Sequence, residues 1–144
     1  MTSCRTRDGL SPGAPPVAPR RCGILVVDDD ENVRRLLTRW LPQQGFAVWP
    51  AAGGREALDL YRSHGAAIDA VLMDVRMPGM DGPQTLAALR GMNPRVRCCF
   101  MSGDLGGHTE RSLWETGAAA VFWKPFRLAE VARVLRELED VAER

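Results

Sequence analysis

The sequence predicts an α/β fold: five parallel strands in one doubly wound sheet, in the order (βα)5, with helices on both faces. Five short apolar runs, 24–27, 46–52, 70–73, 96–101 and 118–123, are rich in Val, Ile, Phe or Cys. They are continuous rather than alternating, which is the pattern of strands buried on both sides. Each run is followed by a segment with helical apolar spacing, and right-handed crossovers then place helices on both faces.

The elements follow in order. Residues 1–20 hold four prolines, two glycines and three arginines with almost nothing to build a core, so they read as a flexible tail, and 21–144 as the single folded domain. After the first run, Val33, Leu36, Leu37, Trp40 and Leu41 form one helical stripe, with Asp30 placed to cap and Gly45 beyond the end. Ala57, Leu60, Tyr61 and His64 repeat the stripe ahead of Gly65. Leu86 and Leu89 mark a short third helix ending near Gly91, and Leu113 with Trp114 a fourth ending at Gly117. Leu128, Val131, Val134, Leu135, Leu138 and Val141 mark the fifth.

Composition narrows the function. At 144 residues and a net charge of +1, with arginines scattered rather than massed, the chain lacks the basic stripe of an electrostatic nucleic-acid binder. There are eighteen Arg and one Lys, Lys124, and no Gly-Lys pair, which excludes a Walker A phosphate loop. No apolar run nears the roughly 18 residues of a membrane span. Arg20 and Arg21 precede only four apolar residues before three aspartates, too few for an export signal, so the expected location is the cytoplasm. Cys98 and Cys99 are strand neighbours that point to opposite faces, as two buried hydrophobes rather than a bridge. His64 and His108 lack partners at metal spacing and read as structural, and Trp40, Trp49 and Trp114 as core or half-buried packing.

In a doubly wound sheet the site lies at the carboxyl ends of the strands, near the point where strand order reverses. The first strand runs into Asp28, Asp29 and Asp30, the third into Asp74, the fourth into Ser102 and the fifth into Lys124. Converging carboxylates repel unless a cation neutralises them, and a hard, oxygen-liganded ion such as Mg²⁺ suits such a set. An ionised Asp beside a cation, a lysine and a hydroxyl is a nucleophile for phosphoryl transfer. Asp30 reads instead as the helix cap. Lys124 escapes a bias that has Arg at every other basic position, which suggests chemistry needing a compact ammonium rather than a planar fork.

The segments ILVVDDDENVRRLL, VLMDVRMPGMDG, MSGD and VFWKPF, in this order and spacing, closely resemble the receiver domain of bacterial two-component response regulators, over residues 22 to about 140. The resemblance implies a flavodoxin-like receiver fold and a phosphoacceptor switch rather than an enzyme acting on other substrates. It makes Asp74 the phosphoacceptor, Asp29 a direct Mg²⁺ ligand with Asp28 its acidic companion, and the backbone carbonyl of Arg76 a further metal ligand. Ser102 resembles the switch hydroxyl, and Lys124 the lysine that pairs with the carboxylate and then the phosphoryl group, with a cis peptide before Pro125. The implied partners are a sensor histidine kinase or a histidine phosphotransfer protein, an unidentified downstream protein, and a phosphorylation-dependent second copy; neither nucleic acid nor a membrane is contacted directly. The responsive surface would include Arg111, Trp114, Glu115, Val121, Arg127 and Glu130.

Three positions depart from the family pattern. Val121 stands where an aromatic switch residue usually sits, so Trp123, on the same strand face, or the loop after Ser102 is expected to carry the conformational change. Arg76 and Asp104, two residues after Asp74 and Ser102, are expected to pair across the entrance and slow loss of the phosphoryl group, while small Gly103 leaves room for a donor. With only a few residues after the last helix, an output domain is not expected. Two rival readings are a docking module of receiver fold that works without phosphorylation, which the intact acidic set disfavours, and a haloacid-dehalogenase-like phosphatase, disfavoured because Asp74 is followed by Val75 and Arg76 and not by x-Asp-Gly-Thr.

Overall fold

The five strands lie side by side in the order 2-1-3-4-5, every pair parallel. The computed structural model describes residues 20–142, so the tail expected over 1–20 falls outside the described residues except for Arg20. Arg20 forks onto both oxygens of Asp69 at 2.7 and 3.0 Å, at the foot of the sheet. The elements are β1 (Cys22–Val27), α1 (Glu31–Gln43), β2 (Phe46–Ala51), α2 (Gly54–His64), a 3₁₀ turn (Gly65–Ala67), β3 (Ala70–Asp74), α3 (Gly82–Met92), β4 (Cys98–Ser102), α4 (Glu110–Glu115), β5 (Ala120–Trp123) and α5 (Leu128–Ala142).

Side-chain alternation divides the core into two layers. Leu25, Val27, Val71, Met73, Cys98 and Phe100 meet α2, α3 and α4 on one face, while Ile24, Val26, Leu72, Cys99, Met101 and Phe122 meet α1 and α5 on the other. Cys98 and Cys99 therefore point to opposite faces as expected. Burial pushes the Cys99 thiol up to about 12 and Cys98 well above its ordinary range, so both are inert hydrophobes. β1 and β3 are buried throughout because they are central. Pro50 is tolerated in β2 because that strand is an edge.

Several expectations are corrected. β4 begins at Cys98 and β5 at Ala120, two residues into their apolar runs, because Val96 and Ala118 are buried in the preceding connections without joining the ladder. β2 ends at Ala51, and the 3₁₀ turn after α2 has no clear signature in the apolar pattern. Leu36 is 49% exposed on the shoulder of α1, since two core layers need only the Leu37–Leu41 edge of that stripe. Trp114 is 46% exposed because α4 is short and buries only Leu113.

Helix ends follow the local chemistry. Asp30 caps α1 by accepting from the Asn32 N–H, and Asp81 forms a reciprocal capping box with Gln84 at α3. Gly45 turns the chain out of α1 with φ +97°, where a side chain would be strained. Gly82 has a different reason: a Cβ there would lie 2.5 Å from the carbonyl oxygen of Asp74, so its absence lets α3 start against the end of β3. Among the described residues no helix is long and apolar enough to cross a membrane.

Candidate functional site

The strand order reverses between β1 and β3, and Asp28 and Asp74 stand together there. β1 and β3 pair Val27 with Met73, so the next residue of each strand rises at the same edge. Asp28 is fully buried, Asp74 is 7% exposed, and Asp29 faces outward. One carboxylate oxygen from each of the three lies within 4.8 Å of the others. β4 carries Ser102 to the same edge beside β3, and β5 ends opposite it, where the Lys124 N–H donates to the Ser102 carbonyl at 2.8 Å. The structure thus brings together Asp28, Asp29, Asp74, Ser102 and Lys124, and the Lys124–Pro125 peptide is cis as expected.

The two buried acids differ in how they are held. Asp28 Oδ1 accepts the Asp30 N–H at 2.9 Å, and Oδ2 accepts Lys124 Nζ at 2.9 Å. Asp74 Oδ1 is 3.5 Å from the same Nζ, an ion pair without close hydrogen-bond geometry. The Asp29 carboxylate has no hydrogen-bond or ion-pair partner among the described residues. The Ser102 hydroxyl is completely buried and also has none. A buried hydroxyl without a partner is costly, typically about 1–3 kcal/mol, unless something else occupies the site during function.

Burial and the neighbouring Asp28 carboxylate, with a further contribution from Asp29, raise Asp74 from an ordinary 3.8 to about 7, against the pull of Lys124. Burial alone would lower the Lys124 ammonium, but its hydrogen bond and attraction to Asp28, with Asp74 adding, hold it above its usual range. The trio therefore fits a hard divalent cation. It is a compact all-oxygen set with excess negative charge, one acid wholly unpaired and a second only loosely held.

Arg76 and Asp104 form the expected ion pair, both largely exposed. The Gly106 N–H, with Arg76, holds the Asp104 carboxyl below its usual range. Arg76 and Asp29 line one shallow groove together with Met77, Pro78 and Asp104. A Cβ on Gly103 would sit 3.6 Å from the Lys124 Cβ, an ordinary contact, so nothing within the chain crowds that position. Val121 is half-buried against the α2–α3–α4 layer, and Trp123 is 45% exposed.

Three further residues carry interactions that the apolar pattern and motifs do not reveal: Arg34 and His108 beside the site, and Arg90 at the opposite edge of the sheet. Arg34 donates to the Asp28 carbonyl at 2.9 Å, and its place four residues after the Asp30 cap, one helical turn along, was a usable signal. His108 pairs with Asp81 at 2.9 Å, and Arg90 donates to the carbonyls of Thr116 and Gly117. Those pairs span 26 or 27 residues, with no periodicity to reveal them.

Residues 24–136 match the response regulator receiver domain family. Over 115 residues, 80% of the chain, it is 36% identical to the sensor kinase CckA of Brucella abortus, of which it spans 12%. It is 33% identical to sporulation initiation phosphotransferase F of Bacillus subtilis, over 79% of the chain and 90% of that protein. The solved structure of response regulator protein TrrA from Thermotoga maritima, in complex with Mg²⁺ and BeF, superposes with a TM-score of 0.71 at 28% identity, covering 81% of this chain and 98% of that one. A parallel 2-1-3-4-5 sheet with an acidic cluster at its switch point, matched over these spans, places the chain in the response regulator receiver domain family, the phosphoacceptor modules of two-component signalling.

Proposed function

We propose that Asp74 is the phosphoacceptor, and that the chain is a switch modified by a sensor histidine kinase or a histidine phosphotransfer protein. The observation that carries this is the Ser102 hydroxyl, completely buried without a partner on the strand beside Asp74. An orphaned donor there suits an anionic oxygen that arrives only when Asp74 is modified.

In the transfer, a carboxylate oxygen of Asp74 attacks phosphorus, the P–N bond of a phosphohistidine breaks, and its electron pair returns to the imidazole nitrogen. Asp74 must be ionised to attack, and in the bare site it is only about half ionised near pH 7. Asp29 and Asp74, with the Arg76 carbonyl, would hold Mg²⁺, which supplies charge neutralisation and a template for phosphoryl oxygens. Asp28, already bound to Asp30 and Lys124, orients the ammonium instead of turning both oxygens to the metal. Lys124 then shifts toward the new phosphoryl oxygens across the short distance that separates it from Asp74. Ser102 donates to another of those oxygens.

Modification replaces a carboxylate of one charge by a phosphoryl group carrying close to two, a net gain of about one negative charge together with three new acceptor oxygens, enough to bias a two-state element. The segment after Ser102 and Trp123 carry the change to a face that includes Arg111, Trp114, Glu115, Arg127 and Glu130, all exposed or half-exposed, and half-buried Val121. That face is read by a downstream protein or a second copy. The chain turns over no substrate except its own acyl phosphate, and it works in the cytoplasm.

Incubation of the full chain with Mg²⁺ and acetyl phosphate, followed by intact mass measurement, tests this reading. One added phosphoryl group in wild type and none in Asp74→Asn is the expected result. No adduct in wild type, or turnover without adduct, overturns it.

A further inference from the structure

Asp28 leaves β1 with its carbonyl beyond the last rung of the ladder. Its N–H still reaches the Ala51 carbonyl of β2 at 3.1 Å, but the Asp28 oxygen receives its hydrogen bond from a side chain, the Arg34 guanidinium, at 2.9 Å. Arg34 belongs to α1, and its own backbone N–H donates to the Asp30 carbonyl at 3.0 Å, in the first turn of that helix. The Asp30 N–H in turn donates to Asp28 Oδ1. Asp28, Asp30 and Arg34 therefore close a ring of hydrogen bonds around the one residue in the loop whose carboxylate is free, Asp29.

We propose that Arg34 is a positioning residue for the cation site: by gripping the Asp28 carbonyl it fixes the peptide between Asp28 and Asp29 and so aims the Asp29 carboxylate. This rests on the metal-dependent reading of the acidic trio. A ligand on a short loop between strand and helix has one freely rotating backbone bond on each side of its Cα. Anchoring the preceding peptide removes one of them from the cost of binding, and outer partners of this kind commonly change metal affinity by tenfold or more.

Charge and geometry pull in opposite directions, which makes the role testable. A cationic guanidinium beside an acidic cluster disfavours a divalent cation by simple repulsion, so a residue acting only through its charge would tighten Mg²⁺ binding when removed. A positioning residue would loosen binding when removed.

The experiment titrates Mg²⁺ into the full chain and follows the amide resonances of residues 28–30 and 74, in wild type, Arg34→Met and Arg34→Lys. Thermal unfolding in chelator runs beside it as a fold check. Expected is a Kd about tenfold weaker in Arg34→Met, and within about threefold of wild type in Arg34→Lys, whose ammonium can still donate to the Asp28 carbonyl. Unchanged or tighter binding in Arg34→Met overturns the proposal. If Arg34→Met fails to fold, Arg34→Ala, which also has no donor, takes its place with the same expected weakening; Mg²⁺ binding equal to or tighter than wild type there overturns the proposal equally. Absence of Mg²⁺ binding in wild type would instead overturn the metal-dependent reading on which it rests.

Discussion

Lys124 Nζ lies 2.9 Å from Asp28 Oδ2 and 3.5 Å from Asp74 Oδ1, so the lysine belongs to Asp28 more than to Asp74, the proposed acceptor. A single ammonium on a flexible stem can hold one carboxylate and still swing toward oxygens added to the other. A guanidinium needs coplanar acceptors for its fork and fills the space between the two acids. Lys124→Arg is therefore expected to keep the fold and the charge, with Tm within a few degrees of wild type. Its phosphoadduct should form about tenfold more slowly with acetyl phosphate, and the Trp123 fluorescence change on modification should shrink. Adduct formation and fluorescence response at wild-type rates would show that the lysine is not required for its shape.

Asp74 makes stability depend on pH in a definite direction. Its folded pKa, about 7, lies above the unfolded value of 3.8, so between these the folded chain holds a proton that the unfolded chain has lost. Stability is then lost as pH rises through that window and levels off above it. Asp74→Asn removes the titration. In chelator it should be more stable than wild type at pH 8, and the advantage should shrink by on the order of 2 kcal/mol at pH 5, where wild type is mostly protonated. Denaturant melts at the two pH values measure this, and an advantage that is equal at both would contradict it. Mg²⁺ at pH 8 should stabilise wild type more than Asp74→Asn.

The Arg76–Asp104 bridge lines the groove that holds Asp29, and under the proposed function it would screen the phosphoryl group on Asp74 from water. Both partners are largely exposed, so the bridge opens often and the shielding is modest. After modification and removal of the donor, Arg76→Asn should lose its phosphoryl group about threefold to fivefold faster than wild type, read as decay of the adduct by mass. Asp104→Asn should accelerate decay as well, because it releases Arg76 without removing it. An unchanged lifetime in both variants would remove the bridge from the chemistry.

The strand ends were legible because each chemical group directly follows an apolar run, and a parallel sheet carries every such end to one edge. Asp28, Asp74, Ser102 and Lys124 needed only the strand order to meet. Arg34, His108 and Arg90 were not legible, since their partners are carbonyls or loop acids whose approach depends on how helices sit on the sheet. Exposed Arg20, Arg21 and Arg136 and half-buried Arg90 and Arg97 donate to backbone carbonyls, in the case of Arg20, Arg21 and Arg90 to two at once. A fork suits that task. Lys124 differs from these arginines in facing two carboxylates, Asp28 and Asp74.

The same bonds give α4 a specific weakness. This six-residue helix buries only Leu113, so its placement depends on its ends. Before its N-terminus His108 is tied to Asp81, the cap of α3, and after its C-terminus Arg90, in the last turn of α3, holds the Thr116 and Gly117 carbonyls. One helix thus grips the other at both ends. Lys at position 90 has a single nitrogen and cannot keep both carbonyls in that geometry, so Arg90→Lys should cost about 1 kcal/mol of global stability. Amide exchange in α4 should rise about fivefold, while that of the central strands follows only the global loss. His108→Ala should act at the other end and add to it, since the two ties share no partner. Exchange that rises uniformly across the domain would mean that α4 has no local freedom for α3 to restrain.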